Sequence, residues 1–209
     1  SDERAEASAV VAEIKHKMTN DGYAHTDFAV FYRTNAQSRQ FEDVLRREKI
    51  PYQIIGGLRF YDRKEIKDIL AYFKVIVNPE DSLSLKRIIN VPRRGIGGTT
   101  LKKLEAMQST LPLRSFWEVL EHAALDQSAA SKKLGQFVTM MKKFMTAHKT
   151  MLLSELYHLI LDETGYVREL KQEGTEEALA RLDNLEEFDT VINEFERECP
   201  NTLPKSSLL

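Results

Sequence analysis

Few residues of this chain have the type and spacing to do chemistry. The first group is Phe31-Tyr32-Arg33-Thr34-Asn35, at the end of a nearly continuous apolar run. In an open parallel sheet, ligands bind beyond the carboxyl ends of the strands. An arginine at that place can donate a bidentate pair of hydrogen bonds to phosphate, and Tyr32 beside it can stack on a base. The plainer alternative is a surface arginine with a half-buried tyrosine. The second group runs from Asn90 to Thr100 (NVPRRGIGGTT), between two apolar-patterned helices. Gly95 and Gly97 permit a tight turn whose backbone N–H groups can approach a ligand closely. Thr99 and Thr100 open the next helix and present its positive end. Ile96 can plug into the helix pair and hold the turn, while Arg93, Arg94, Lys102 and Lys103 add attraction for anions. A helix–hairpin–helix grips a nucleic-acid backbone in this way without reading bases; an ordinary glycine-rich connector is the alternative. The third group, Gly56 to Lys64 (GGLRFYDRK), mixes aromatics with bases as single-strand surfaces do, and reads equally as a turn into a helix.

Several chemistries are excluded. No GxxxxGK[ST] run occurs in the sequence, so the chain has no Walker A phosphate cradle of its own. His16, His25, His122, His148 and His158 show no metal-ligand spacing, and the single cysteine, Cys199, excludes paired-cysteine zinc sites and an internal disulfide. No metal site is expected. No Ser/His/Asp arrangement is recognisable.

The formal net charge of −2 hides a strong asymmetry. Lys86 to Lys103 carries six bases and no acid, and Lys132 to Lys149 carries five bases and no acid. Glu163 to Glu198 holds twelve acids against four bases. Such separation suggests one face for an anionic polymer and another for solvent or a protein partner; solvated helix faces are the alternative for the acidic run and for Lys132–Lys149.

The elements that must position these residues come in two styles. Up to about residue 78 the pattern reads α/β. A helix over Glu3–Met18 is followed by Asp27–Tyr32 (DFAVFY), which reads as a strand buried on both faces of a parallel sheet. Asn35 can cap a helix carrying Phe41, Val44 and Leu45. Tyr52–Ile55 (YQII) reads as a second strand, and Gly56-Gly57 turns the chain. Ile66, Ile69, Leu70, Phe73, Ile76 and Val77 mark the apolar face of a helix. Two strands alone cannot make a stable lobe, so further strands are expected from elsewhere. After Asn78-Pro79 the pattern is helical to the end. Asp81 and Ser115 are N-caps; Leu134 to His148 form a long amphipathic helix; Ser154 opens another, which Gly165 stops. Thr175 opens the last, with Leu182, Leu185, Phe188, Ile192 and Phe195 inward.

At 209 residues, with 42% hydrophobic and 30% charged residues, the composition is that of a soluble globular protein with room for one large domain or two small ones. The longest apolar stretch, Leu70 to Val77, is broken by Lys74 and too short to span a bilayer, so no membrane association is expected. A lone cysteine suits a reducing, cytoplasmic setting. The chain starts at Ser1 and its tail after Pro200 reads as a loop cut short, so a piece of a longer polypeptide is expected.

Taken together, DFAVFYRTNAQSRQFEDVL and IPYQIIGGLRFYDRKEIKDILAYFKVIVNPEDSLSLKRIINVPRRGIG resemble the UvrD/PcrA/Rep DNA helicases of superfamily 1, most of all those of PcrA type. The likeness is dense from Asp27 to about Leu104. It continues through Arg181, Asn184 and Glu187, which match that family's Arg-x-x-Asn-x-x-Glu segment. The resemblance implies that residues 1–80 are the first part of a RecA-like motor lobe (2A), and 81–209 most of a helical 2B domain truncated at its C-terminal end. It implies that Arg33 matches the motif IV arginine that reaches the γ-phosphate, that Tyr32 matches the aromatic on the adenine, and that Gly95-Ile96-Gly97 matches a 2B motif on the duplex. ATP with Mg²⁺ would be held mainly by a lobe absent from this chain, so the chain alone should not hydrolyse ATP. The implied partners are lobe 1A, the rest of 2A, single-stranded DNA and the duplex at a fork. The implied function is 3′→5′ unwinding in repair and plasmid replication. A DNA-binding module without a motor, and a helical protein-interaction scaffold, are the competing classes.

Overall fold

The structure, a computed structural model, describes residues 3–33, 37–110, 115–126 and 128–198. Its regular elements are helices: α1 (Glu3–Asn20), α2 (Ser38–Arg47), α3 (Lys64–Val77), α4 (Ser82–Ile88), α5 (Gly98–Thr110), α6 (Phe116–Ala124), α7 (Ala129–Ala147), α8 (Leu153–Thr164), α9 (Tyr166–Glu173) and α10 (Glu176–Glu198), with short 3₁₀ turns at His25–Asp27 and Phe60–Asp62. Two compact units divide within α3, Ser1–Ile66 and Lys67–Leu209.

The expected α/β lobe with its partial RecA-like parallel sheet is overturned: among the described residues there is no strand. Asp27 closes a 3₁₀ turn, and Phe28 then takes extended angles (φ −112°, ψ 140°). From Phe28 to Arg33 exposure alternates. Phe28 and Val30 line a groove with Ala9, Val10 and Ile14 of α1, whereas Phe31 is 93% exposed. Residues 52–55 alternate in the same way, and Ile55 is 86% exposed. Both runs are thus extended, with one half-buried face. A strand also needs a neighbouring backbone to complete its ladder, and no ladder hydrogen bond reaches either run among the described residues. An apolar run records a tendency to be buried and does not specify a pairing partner.

In the first unit, Ala7 and Val11 of α1 pack on Val44 of α2, with Phe41, Leu45 and Ile50 against them. The opposite side of α2 is polar yet buried. Glu42 accepts hydrogen bonds from the Ser38 hydroxyl (2.9 Å), the Phe60 amide (3.1 Å) and the Tyr52 hydroxyl (3.4 Å). Arg63 donates to the Ser38 hydroxyl at 2.7 Å. A buried carboxylate is tolerable only with such donors; these tie residues 52–63 back onto α2.

In the second unit α6 packs on α5 and α7, α7 on α8, and α10 on α8 and α9. Phe116, Phe137, Phe144, Tyr72, Tyr157 and Ile88 are fully buried. Tyr72 meets the Phe144 ring edge-on at 6.4 Å, and Tyr157 meets Phe188 at 5.8 Å. Burial pushes the Tyr157 hydroxyl well above the usual phenol range, and it donates to the Leu185 carbonyl at 2.7 Å. The expected caps are present: Asp81 accepts from the Ser84 amide (3.0 Å), Ser115 from the Glu118 amide (3.2 Å) and Thr175 from the Ala178 amide (3.1 Å). Gly165 takes the left-handed conformation (φ 72°) that ends α8. Three expectations shift. Val77, placed on the apolar face of α3 by the pattern, is 76% exposed. Ser154 lies inside α8, where its amide and hydroxyl both bond Glu196, and Phe195 is 45% exposed. The Asn35 cap and the tail after Pro200 lie outside the described residues. No helix among the described residues is long and apolar enough to cross a membrane.

Candidate nucleotide arginine and nucleic-acid interface

In the first unit Tyr32 is half-buried and Arg33 exposed at the end of the extended run. The Arg33 amide donates to the Gln37 side chain at 2.9 Å. That bond fixes the backbone and leaves the guanidinium pointing outward, with no carboxylate partner among the described residues. A guanidinium in that setting can take a phosphate bidentately. Thr34 and Asn35 lie outside the described residues. The aromatic–basic run Gly56–Lys64 is largely spent on the fold: Phe60 is buried, and Arg63 is buried against its ring face (5.2 Å).

The Asn90–Thr100 hairpin lies in the second unit, between α4 and α5. Gly95 has φ +70°, the region where a side chain strains the backbone. Asn90 closes the turn from inside: its Oδ1 accepts from the Arg94 amide (2.8 Å) and the Ile96 amide (3.1 Å). Ile96 is 1% exposed, so it plugs the turn as expected. The Gly97 carbonyl accepts from the Thr100 and Leu101 amides at 3.0 and 3.1 Å, which starts α5. Nothing lies within 4 Å of the place a Cβ would take at Gly97 or Gly98. The N–H groups of Gly97, Gly98 and Thr99 have no acceptor among the described residues, at the positive end of a thirteen-residue helix. An anion is favoured there by dipole and donors together.

The six bases of this region do not share one role. Arg93, Lys102 and Lys103 are exposed, as is Thr99; Thr100 is half-buried. Lys86 pairs with Glu105 at 2.7 Å and lies over the Phe116 ring. Arg87 pairs with Asp68 at 2.7 Å, and the buried Asp68 carboxylate also accepts from the Tyr166 hydroxyl at 2.8 Å. Arg94 turns inward. Its Nη1 donates to the carbonyls of Ile88 (3.0 Å), Val91 (2.9 Å) and Pro92 (3.2 Å), and its Nη2 to the Tyr72 hydroxyl (2.7 Å). Burial pushes the Tyr72 hydroxyl up to about 12, with the nearby Arg94 charge partly opposing the rise. The Arg93 amide donates to Glu169 of α9 at 3.0 Å.

Sequence reasoning missed Lys133. It belongs to α7, and its ammonium end reaches the surface of Gly95, so a Cβ there would collide with it. The basic run Lys132–Lys149 contains it, and only the packing of α7 distinguishes it from Lys142 and Lys143, which pair with Glu121 and Glu163. Arg181 is turned to Glu173 and Glu177 on its own side of the bundle. No group of three His, Cys, Asp or Glu residues among the described residues could hold a metal ion.

Comparison with known proteins places the chain in a family. A family model described as the UvrD-like helicase C-terminal domain matches residues 1–209. The ATP-dependent DNA helicase PcrA of Staphylococcus epidermidis is 40% identical over 214 residues, covering 99% of this chain and 28% of that protein. PcrA of Staphylococcus aureus is 38% identical over 213 residues, covering 99% of the chain and 28% of the relative. PcrA of Leuconostoc citreum is 36% identical over 207 residues, covering 98% and 28%. The chain thus spans little more than a quarter of the length of these curated relatives, and it belongs to the UvrD-like helicase C-terminal domain family.

Proposed function

We propose that this chain works as part of an ATP-dependent 3′→5′ DNA helicase, coupling ATP hydrolysis to movement on single-stranded DNA and to duplex unwinding in repair and plasmid replication. Likeness along 98–99% of its length to proteins named ATP-dependent DNA helicases carries the reading. Residues 1–80 would serve the motor and residues 81–209 the duplex. ATP, bound with Mg²⁺ mainly by other segments of the parent protein, supplies the phosphoryl transfer. Tyr32 and Arg33 suit that nucleotide: an aromatic edge for the base and an outward guanidinium for the terminal phosphate. Arg33 would donate to the γ-phosphoryl oxygens as charge builds on them, and no residue of this chain is assigned to the metal. Its contact would exist only when the nucleotide-binding segment closes on it, which ties nucleotide state to conformation.

The hairpin would hold the duplex backbone through the Gly97, Gly98 and Thr99 amides and the hydroxyls of Thr99 and Thr100. Arg93, Lys102, Lys103 and Lys133 would supply charge, while Gly95 and the buried Ile96 shape the turn. The test is Arg33→Ala in the full-length parent protein. Arginines in this role are worth roughly 10³–10⁵ in rate, so ATP turnover should fall at least a thousandfold while single-strand binding persists. Wild-type turnover would refute the role.

A further inference from the structure

We propose that Arg94 is a positioning residue of the hairpin and not a phosphate ligand, and that Tyr72 is its necessary partner; this rests on the hairpin's reading as a duplex-binding element.

Position alone would rank Arg94 with Arg93 as a cation beside the glycine turn. Its bonds say otherwise. The guanidinium bridges the carbonyls of Ile88, Val91 and Pro92, which follow one another out of the C-terminal end of α4. Carbonyls at a helix C-terminus lack the full set of intrahelical donors; that of Ile88 takes the Val91 amide (3.0 Å) as well as Arg94, and that of Val91 takes Arg94 and Tyr72. The same guanidinium lies over the Phe137 ring of α7 at 5.5 Å and is held by the Tyr72 hydroxyl of α3. Tyr72 in turn donates to the Val91 carbonyl. One planar fork with several donors therefore joins α3, α4 and the first half of the hairpin against α7. The Arg94 amide and the Ile96 amide share the Asn90 side chain, so the arginine's backbone is fixed by the turn that its side chain supports. Lysine cannot replace it, because one ammonium cannot span these acceptors.

The consequence is separable from charge. Each lost phosphate contact lowers the slope of log affinity against log salt by about 1. Loss of a positioning bond weakens binding without altering the number of ions released.

The test measures duplex binding by the 209-residue chain across a salt series, using a blunt 20-base-pair DNA as probe. Arg94→Gln and Tyr72→Phe should each weaken binding about 3- to 10-fold with the wild-type salt slope, and Arg94→Lys should not restore it. Lys102→Gln should lower the slope by about 1. A slope lowered by about 1 in Arg94→Gln, with unchanged affinity in Tyr72→Phe, would make Arg94 a phosphate ligand and overturn the proposal. Unchanged affinity in both would also overturn it. Tyr72→Phe carries no charge change and removes one hydroxyl, so it remains informative if Arg94→Gln does not fold. Amide exchange without DNA separates the two levels of argument. The Ile96 amide should exchange faster in Tyr72→Phe, and unchanged protection would refute the brace. Faster exchange with no effect of Lys102→Gln or Gly97→Val on DNA binding would instead remove the duplex-binding role of the hairpin.

Discussion

Gly97 offers a clean separation of folding from binding. Nothing lies within 4 Å of a Cβ built there, and its φ is outside the left-handed region. Its carbonyl starts α5 by accepting from the Thr100 and Leu101 amides, so it acts as the N-cap. Gly97→Val therefore costs stability only through poorer capping, up to about 1 kcal/mol, and part of that is offset because the unfolded chain loses freedom. The melting temperature should move by only a few degrees. Binding is a different matter. The valine side chain would stand beside the Gly97, Gly98 and Thr99 amides, where a phosphate must come within about 3 Å of nitrogen to accept a hydrogen bond. Losing one hydrogen bond to a charged group costs about 1.5–3 kcal/mol, roughly a 10- to 150-fold rise in Kd. Fluorescence anisotropy on duplex DNA, beside thermal denaturation of the same preparation, measures both. An affinity within twofold of wild type, in a variant that melts normally, would show that no phosphate uses these amides. Gly95→Ala is the less informative change, because its φ of +70° makes strain and binding inseparable.

Two further outcomes follow from individual contacts. Glu169 places a carboxylate on the Arg93 amide, an acid within the proposed phosphate surface; Glu169→Ala should tighten duplex binding roughly two- to fivefold, and weaker binding in anisotropy would mean that it orients the hairpin instead. The Ser84 amide, and then its hydroxyl, hold the Asp81 carboxyl below its ordinary value of 3.8. The folded-state value is the depressed one, so the cap's contribution is fully present above the ordinary value of 3.8 and is lost as pH falls below it through the lower, folded-state value. Asp81→Ala should thus cost about 1 kcal/mol at pH 7, and the gap to wild type in denaturant titrations should narrow below pH 3.8.

What could be read from the sequence follows physical range. The face of α7, the caps at Asp81, Ser115 and Thr175, and the stop at Gly165 are set by neighbours within a turn or two, and they appear where the pattern puts them. The face of α3 is met only in part, since Ile66, Ile69 and Ile76 are buried but Val77 is exposed and Tyr72 and Val75 are buried in addition. The runs at 28–32 and 52–55 depend on something more distant. Their composition suits a strand, but a ladder requires a second backbone at the right spacing, and α1 receives Phe28 and Val30 through side chains instead. Buried acids were equally out of reach. Glu42 relies on an amide 18 residues away, and Asp68 on a hydroxyl 98 residues away; no local pattern marks a carboxylate whose donors come from such distances. Asn90 is similar on a smaller scale, since its side chain organises a turn that the sequence marks only by its glycines.

The charge count shows why a site can be legible while its energetics are not. Six bases and no acid between Lys86 and Lys103 suggest six phosphate partners, and a salt slope of about −0.9 per contact would then be near −5. Geometry removes Lys86 to Glu105, Arg87 to Asp68, and Arg94 to carbonyls and Tyr72. It adds Lys133 from α7. Four cations remain around the hairpin, for which the same rule gives a slope of about −3 to −4. The individual residues decide the matter better than the total. Lys133→Gln should lower the slope by about 1, whereas Arg87→Gln should leave it unchanged. Burial of Asp68 raises the alternative that Arg87→Gln acts through stability; Arg87 itself is more than one-third exposed, and Tyr166 still donates to the acid, so the chain should stay folded. If Arg87→Gln lowers the slope as much as Lys133→Gln does, ion pairing within the protein does not withhold a base from DNA, and availability would follow sequence proximity after all.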